Sequence, residues 1–267
     1  MWRNSKIYFI RGVRPLIMAH RGNSIAVPEN SILAFQEAYD LKVDVIETDA
    51  HLTKDSNIIF FHDQTLKRVT GEKGKISDKT LEELKTIDLG AKFKDANGNL
   101  SYQGRGLIIQ TIEEIFTSFK DIKFNIDIKS KNPETPKILA KKLEELNAQN
   151  RVMVGSFHQK QIDSFRKHSS IPTSAGPFEV LEFLKCVRRN KQLAHEYHAI
   201  QVPEKIKCIS IVNEKTLKFA HENEIAVHVW TINERENMKS LLLLGVDGIF
   251  TDNPELLLTV EKELGFI

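Results

Sequence analysis

Two acidic residues, Glu47 and Asp49, stand two positions apart inside an apolar run. Side chains alternate along a β-strand, so both carboxylates are predicted to project to the same side. Carboxylates this close repel each other unless a cation lies between them. A third carboxylate, Asp127, belongs to a second apolar run at residues 123–128. Oxygen ligands of this kind predict a hard divalent metal ion, Mg²⁺ or Ca²⁺.

Histidines and cations accompany these carboxylates. His20 and Arg21 end one apolar run, His62 ends another, and Lys129 lies in phase with Asp127. An imidazole, with an unperturbed pKa of about 6.5, can give or take a proton near neutral pH. A guanidinium matches a phosphate edge with two hydrogen bonds. These residue types together predict cleavage of a phosphodiester by in-line displacement at phosphorus.

Short β-branched runs alternate with longer segments of helical period, which predicts a parallel sheet covered by helices. The predicted fold class is α/β, a (β/α)8 or TIM barrel, because 267 residues suit that fold and its site lies at the carboxyl ends of the strands. The predicted barrel strands are residues 17–20, 45–50, 123–128, 152–157, 171–175, 199–202, 226–231 and 248–251.

A ninth apolar run, residues 58–62, is predicted to lie outside the barrel. The turn before it, residues 53–57, is too short for a parallel crossover, which needs a dozen or more residues. The run should therefore return antiparallel beside residues 45–50 and bring His62 toward Glu47 and Asp49. The next segment, residues 63–106, is predicted to be an insertion that walls the site. Residues 1–267 as a whole are predicted to form a single domain.

Polar residues at the ends of apolar segments predict where several helices begin. Asn213 and Asn233 are predicted as N-caps of the helices that follow them. The tripeptide at residues 252–254 is interpreted in the same way, with Pro254 at the first helical position. The basic run at residues 185–191 lies on a predicted helix and is interpreted as a solvated helix face, with a lipid-docking surface as the alternative.

The composition excludes several classes of protein. The 38 Lys and Arg residues against 36 Asp and Glu residues give a net charge of +2, which indicates neither a nucleic-acid-binding face nor an anionic-membrane-binding face. The longest apolar runs fall far short of the ~20 residues of a transmembrane helix, and residues 1–10 do not resemble a signal peptide. Only two cysteines, Cys186 and Cys208, are present, which favours a reducing compartment and predicts a cytoplasmic location.

Seven short blocks, which follow one another from about residue 17 to residue 258, resemble the signature blocks of the glycerophosphodiester phosphodiesterase family. Each block alone is weakly specific, but seven of them in family order are highly specific. The blocks are His20-Arg21-Gly22, Pro28-Glu29-Asn30-Ser31, Glu47-x-Asp49, His62-Asp63, Asn125-Ile126-Asp127-Ile128-Lys129, Trp230-Thr231-Ile232-Asn233 and the segment from Gly245 to Asp252.

The resemblance implies a phosphatidylinositol-phospholipase-C-like TIM barrel that uses a divalent metal ion to hydrolyse glycerophosphodiesters to glycerol 3-phosphate and an alcohol. It implies that His20 and His62 are the acid–base pair. The other implied site residues are Glu47, Asp49 and Asp127 as metal ligands, Arg21 and Lys129 at the phosphate, and Trp230 and Phe157 in the substrate pocket. Trp230 and Phe157 each end a predicted strand, and core packing is the alternative interpretation of both.

The sequence departs from the family pattern at two positions. Ser31 replaces the usual Thr, a mild change because both hydroxyls cap a helix. Asp127 replaces the usual Glu, and the loss of one methylene withdraws the carboxylate by ~1.5 Å. Two alternatives to the leading function therefore stay open. The first is a lysophospholipase D that acts on lysophospholipids, which an apolar groove beside the pocket would favour. The second is a phosphodiester-binding module without catalysis.

Overall fold

A parallel β-sheet that closes into a barrel forms the centre of the molecule. The computed structural model describes residues 14–207 and 209–267, so residues 1–13, which include the segment 1–10 compared above with a signal peptide, and Cys208 lie outside the described part. The barrel strands follow the order β5-β4-β2-β1-β10-β9-β6, and neighbouring strands in this order are parallel. Their bounds are β1 Leu16–His20, β2 Val45–Leu52, β4 Lys123–Ile128, β5 Val152–Gly155, β6 Ala199–Pro203, β9 Ala226–Trp230 and β10 Gly248–Thr251.

The barrel closes between β5 and β6 through a short extended segment rather than a full strand. Thr173 forms a parallel bridge to Val154, and Ser174 forms one to Ala199. The strand predicted at residues 171–175 is therefore reduced to two isolated bridges. Pro172 has no amide hydrogen to donate to a neighbouring strand, and the next helix begins at Pro177, so little chain is left to pair.

The run predicted as a hairpin is confirmed as β3, Ile58–Phe60, which pairs antiparallel with β2. Phe60 lies opposite Ala50 and Ile58 lies opposite Leu52. The amide of Phe61 then donates to the carbonyl oxygen of Asp49 at 2.9 Å. This pairing places His62, the next residue, at the end of β2 that bears the acidic pair.

Helices cover the outside of the barrel. The bounds are α1 Ile32–Asp40, α2 Lys67–Thr70, α3 Leu81–Leu84, α4 Ile112–Ser118, α5 Thr135–Glu145, α6 Gln159–Arg166, α7 Pro177–Arg189, α8 Glu214–Glu222, α9 Arg235–Leu244 and α10 Pro254–Glu263. A short β-hairpin, β7 Lys205–Ile206 with β8 Ile209–Ser210, lies between β6 and α8. Within residues 14–207 and 209–267, none of these helices is long and apolar enough to span a bilayer.

The predicted N-caps have different outcomes. Asn213 accepts a hydrogen bond from the amide of Thr216 and caps α8, as predicted. Asn233 is not an N-cap, because α9 begins one residue later, after Glu234. Its side chain instead bonds to the end of β10, where its amide nitrogen donates to Asp252 at 2.7 Å. A residue predicted to begin a helix thus belongs instead to the rim of the barrel.

Apolar side chains form separate cores outside and inside the barrel. The large cluster lies between the sheet and the helices and includes Phe35, Phe124 and Phe165. A small cluster that includes Met18 and Phe250 fills the barrel interior. A third cluster joins the insertion at residues 63–106 to the hairpin and includes Ile59, Phe61, Leu66, Ile76, Leu84 and Ile109. The description of the whole chain as a single domain stays a prediction.

Candidate active site

The pairing register of three strands brings the predicted acidic and basic residues together. His20 of β1 lies opposite Glu47 of β2. Asp49, two residues further along β2, lies opposite Asp127 of β4. Because side chains alternate along each strand, these positions share the inner side of the barrel near its carboxyl end. The site therefore follows directly from strand register.

His20 is held by an acidic partner from the last barrel strand. Its Nδ1 donates to Oδ1 of Asp252 at 2.7 Å, and its Nε2 lies 3.9 Å from Oε2 of Glu47. Burial lowers the pKa of His20, but the negative charge of Glu47 and the hydrogen bond to Asp252 raise it by more, so the net shift is upward. Asp252 also accepts from the hydroxyl of Ser24 at 3.0 Å and from Asn233. These bonds fix the imidazole through Nδ1 and leave Nε2 to exchange protons.

His62 has a matching arrangement. Its Nδ1 donates to Oδ1 of Asp63 at 2.6 Å. Asp63 accepts from Nε of Arg68, the second residue of α2, at 2.7 Å. The other side of Arg68 binds the carboxylate of Glu29. Each histidine of the predicted pair is thus oriented by its own aspartate.

Carboxylates and cationic side chains lie next to one another beside the histidines. The ammonium of Lys129 lies 2.6 Å from Asp127 and 3.3 Å from Asp49. Arg21 lies 3.4 Å from Asp49 through Nε, and its backbone amide donates to Glu47 at 3.0 Å. Burial and the charge of Asp49 raise the pKa of Glu47 to about 7. Burial also acts to raise the pKa of Asp49, but Lys129 and Arg21 outweigh it and lower that pKa to about 2.

The backbone turn at Arg21 and Gly22 positions the residues that follow β1. Arg21 has φ of 58° and Gly22 has φ of 83°, both in the left-handed region. A Cβ at Gly22 would lie 2.5 Å from the carbonyl carbon of Ala34, so only glycine fits there. The chain can then turn sharply after β1 and pack against α1. The close approach of Gly22 to the backbone of Ala34 explains why glycine follows His20 and Arg21.

The predicted residues surround a cavity of about 590 Å³ at the carboxyl end of the barrel. Its polar end is lined by His20, Arg21, Glu47, His62, Asn125, Asp127 and Lys129. The predicted pocket aromatics lie there too: Phe157 and Trp230 meet edge to face at 5.4 Å, and Lys129 lies 4.7 Å from the centre of the Phe157 ring. Asp49 is fully buried beneath the lining. An apolar wall, formed by Val180 and Leu184 of α7 together with Val202, Pro203 and Ile211, continues the cavity away from the charged end.

The same residues are matched by a model of a protein family. The model described as "Glycerophosphoryl diester phosphodiesterase family" matches residues 20–256. The chain belongs to this family. The matched region runs from the end of β1 into α10. The match confirms the fold and the enzyme activity that the sequence blocks led us to expect.

Individual members of the phosphodiesterase family are similar over nearly the whole chain. A glycerophosphodiester phosphodiesterase of Caldanaerobacter subterraneus is 33% identical over 261 residues, which cover 95% of this chain and 100% of the relative. A crystal structure of a glycerophosphoryl diester phosphodiesterase domain from Mycobacterium tuberculosis superimposes with a TM-score of 0.81 at 17% identity and covers 94% of this chain and 99% of that one. A phosphodiesterase from Oleispira antarctica, solved with the product sn-glycerol-3-phosphate, has a TM-score of 0.76 at 22% identity and covers 93% and 97%. This chain is a glycerophosphodiester phosphodiesterase and hydrolyses glycerophosphodiesters to glycerol 3-phosphate and an alcohol.

The phosphodiesterase site offers donor atoms that suit a divalent cation. Oδ1 of Asp127 is buried and has no hydrogen-bond partner, and Oδ1 of Asp49 is buried and makes no hydrogen bond but lies 3.3 Å from the ammonium of Lys129. A metal ion that binds these two oxygen atoms would compensate the negative charge of both carboxylates. In the described part of the chain, however, no three His, Cys, Asp or Glu side chains already converge as metal ligands. Lys129 lies between Asp49 and Asp127, so its ammonium would have to shift for both to bind one ion. The oxygen ligands therefore suit a hard metal ion, but the side chains would have to move closer together to bind it.

Two residues of the phosphodiesterase site were not assigned to it from the sequence. Asp252 was interpreted as part of a helix start, yet its carboxylate holds His20. Its position just after a barrel strand is the signal that marks it, because that end of the barrel carries the site. Asn30 is assigned no role of its own from the sequence beyond its place in the Pro28-Glu29-Asn30-Ser31 block; its side chain donates to Asp49 at 3.0 Å and accepts from Thr48 at 2.8 Å. The alternation of strands gives no information about such loop residues.

Proposed function

We propose that hydrolysis is carried out by His20 and His62 as an acid–base pair, with Arg21 and Lys129 binding the phosphate. The observation that carries the proposal is that each histidine is held through Nδ1 by an aspartate while both line one cavity. This arrangement fixes the tautomer and leaves Nε2 of each ring for proton exchange. A guanidinium and an ammonium at the same cavity attract the phosphodiester anion and stabilise charge that develops on its oxygens.

The proposed reaction proceeds in two displacements at phosphorus. One histidine takes the proton of the glycerol 2-hydroxyl, whose oxygen attacks phosphorus to form a cyclic phosphate. The bond from phosphorus to the alcohol oxygen breaks, and the other histidine protonates that leaving alcohol. Water then opens the cyclic phosphate with the proton transfers reversed, which restores both histidines and yields glycerol 3-phosphate. The product found with the Oleispira antarctica relative is the one that this sequence predicts.

A divalent ion, Mg²⁺ or Ca²⁺, is proposed as the cofactor, held by Glu47, Asp49 and Asp127. When bound, it would supply positive charge that polarises the phosphate and lowers the pKa of a nearby hydroxyl. The support is that Oδ1 of Asp49 and Oδ1 of Asp127 are buried carboxylate oxygen atoms without a hydrogen bond. Burial and Asp49 raise the pKa of Glu47 to about 7, and a bound cation would lower that pKa because it would compensate the buried negative charge.

Replacement of Asp127 by Glu tests the metal proposal. Chelation with EDTA should abolish hydrolysis of glycerophosphocholine, and added Mg²⁺ or Ca²⁺ should restore it. The Asp127→Glu variant adds ~1.5 Å of reach, so its half-saturating metal concentration should be about tenfold lower, which corresponds to ~1.4 kcal/mol. Asp127→Asn is the matched control and should need more metal than the wild type. Hydrolysis that persists after complete chelation would refute metal dependence.

A second candidate substrate is a lysophospholipid, from which the same reaction would release the head-group alcohol. The observation that favours it is the apolar wall of Val180, Leu184 and Ile211 beside the charged end of the cavity. A small polar glycerophosphodiester has no apolar part to cover this wall. A hydrocarbon chain would cover it, and each buried methylene contributes ~0.8 kcal/mol.

Substitution of Leu184 by Asp tests this second substrate. A carboxylate in the wall should repel a hydrocarbon chain while it leaves the phosphate-binding end in place. The ratio of kcat/KM for lysophosphatidylcholine to that for glycerophosphocholine should fall at least tenfold, since loss of contact with two methylenes already costs ~1.6 kcal/mol. Leu243→Asp, at an exposed position of α9, is the control and should leave the ratio unchanged. A wild-type protein that hydrolyses only glycerophosphocholine would exclude the second substrate.

A cytoplasmic location is also proposed, on the strength of cysteine usage. Cys186 is a buried free thiol that lies within the outer core cluster. A chain with only two cysteines suits a reducing compartment better than a disulfide framework. The proposed partner is the small phosphodiester substrate.

A further inference from the structure

Four exposed apolar side chains gather at the mouth of the cavity, and we call them the apolar rim: Phe157, Phe178, Leu181 and Ile206. Their exposed fractions are 52%, 71%, 55% and 49%. Three of them line the cavity itself, and the fourth, Phe178, lies one helical turn before Leu181 on α7. Scattered single apolar residues are ordinary on a protein surface, but a group around one opening marks an interaction site.

Basic residues border the apolar rim on the β7–β8 hairpin. Lys205 and Lys207 flank Ile206 on both sides, and all three are exposed. Lys205 has an exposed ion pair with Glu204, a kind of pair that contributes little. In residues 14–207 and 209–267 no acidic side chain forms an ion pair with Lys207. The hairpin therefore presents an apolar side chain between two positive charges.

The outer face of α7 repeats this combination along the helix axis. Phe178 and Leu181 are followed, at spacings of four and three residues, by Lys185 and Arg188. All four positions lie on one helical face and are exposed. Lys185 also pairs with the exposed Glu182 at 3.4 Å, an exposed ion pair that contributes little. At 1.5 Å per residue, Lys185 lies ~6 Å and Arg188 ~10 Å beyond Leu181. A membrane that meets the N-terminal end of α7 would therefore receive Phe178 and Leu181 first and would leave Lys185 and Arg188 at the level of its head groups.

We propose that the apolar rim and its basic border dock the protein on the surface of an anionic phospholipid membrane, with the cavity mouth toward the lipid. The positive charges complement anionic head groups, and the apolar side chains suit the boundary with the acyl chains. The net charge of +2 conceals this surface because it averages over the whole molecule. The orientation of the mouth rests on the proposed function, in which the cavity receives phospholipid-derived diesters; the docking itself does not depend on hydrolysis.

Sedimentation with sucrose-loaded vesicles tests the proposal on the full chain. Vesicles of phosphatidylcholine with 30% phosphatidylglycerol should bind the protein at least tenfold more strongly than vesicles of phosphatidylcholine alone, and added salt should weaken the binding. The Phe178→Ser variant should bind at least tenfold more weakly, because it loses the most exposed side chain of the apolar rim. The Lys205→Gln/Lys207→Gln variant should bind about 25-fold more weakly, about fivefold for each lysine.

Matched substitutions elsewhere on the surface serve as controls. Leu243→Ser on α9, where Leu243 is 64% exposed, and Lys137→Gln/Lys141→Gln on α5 should bind like the wild type. Thermal unfolding of each variant establishes that it is folded.

Absence of binding to anionic vesicles, or equal loss in Phe178→Ser and Leu243→Ser, would overturn the proposal. Self-association without vesicles that Phe178→Ser abolishes would also overturn it, because the surface would then join two copies of the chain. Failure of hydrolysis with intact vesicle binding would refute only the proposed function.

Discussion

Substitution of either His20 or His62 by alanine should lower kcat for glycerophosphocholine at least ~10²-fold, because general acid–base catalysis contributes ~10²–10⁴-fold to such reactions. The loss should be similar for the two variants, since each displacement needs one proton accepted and one donated. The double variant should be little slower than either single one, because residues that act as a unit have non-additive effects. Steady-state kinetics with release of glycerol 3-phosphate as the readout provides the measurement.

The control for this experiment is His168→Ala, at an exposed position after α6 that is remote from the cavity lining. It should retain wild-type kcat and KM. Thermal unfolding should separate a catalytic loss from a folding loss, because His20 and His62 are only partly buried. Near-normal rates in both alanine variants would exclude the two-histidine mechanism and would move the search for the proton donor to Lys129 or to water.

Replacement of Lys129 by methionine should lower kcat/KM by ~10²–10³-fold, the loss seen when one group that stabilises transition-state charge is removed. Lys129 is half-buried beside acidic residues: burial lowers its pKa, but the charges of Asp127 and Asp49 raise it by more. The side chain therefore stays protonated throughout the working pH range. Methionine keeps much of the length of the side chain and removes the charge.

The same substitution should also change stability. Removal of one partner of a fully buried ion pair costs ~3–5 kcal/mol, and the loss here should lie below that range because Lys129 is half-buried and Arg21 still lies 3.4 Å from Asp49. Added Mg²⁺ should recover part of the loss in Tm for Lys129→Met, since a cation can take the place of the ammonium between the two carboxylates. Lys123→Met, on the same strand but at its opposite end, is the control for activity. A Lys129→Met variant with kcat/KM within threefold of wild type would remove Lys129 from the site.

Strand periodicity was sufficient to predict the centre of the site. Glu47 and Asp49 share a face because of the two-residue repeat, and the short turn before Ile58 forces an antiparallel return that brings His62 back. Asp49 lies opposite Asp127 in the pairing of β2 with β4. This placement is expected because both residues lie near the carboxyl ends of neighbouring parallel strands. Such features are local or follow from the regular geometry of strands, so the sequence contains them.

Residues outside the regular strands were predicted less well. The segment at residues 171–175 has the apolar content of a strand, but Pro172 cannot donate to a neighbour, and only two bridges form. Asn233 and Asp252 have the residue types of helix caps, and their bonds to each other depend on the side-by-side placement of two loops that are far apart in sequence. Tertiary contacts of this kind cannot be inferred from residue type alone.

The bond from Arg68 to both Asp63 and Glu29 has a consequence for engineering. Arg68 lies in the first turn of the insertion, and the later part, from Gly71 to Gly106, has none of the cavity-lining residues. The orientation of His62 therefore depends on the base of the insertion and not on its exposed tip. Loops of other lengths and compositions could be grafted in place of the tip, residues 94–100, as a modular cassette, because Leu66, Ile76 and Leu84 would still anchor the rest of the insertion.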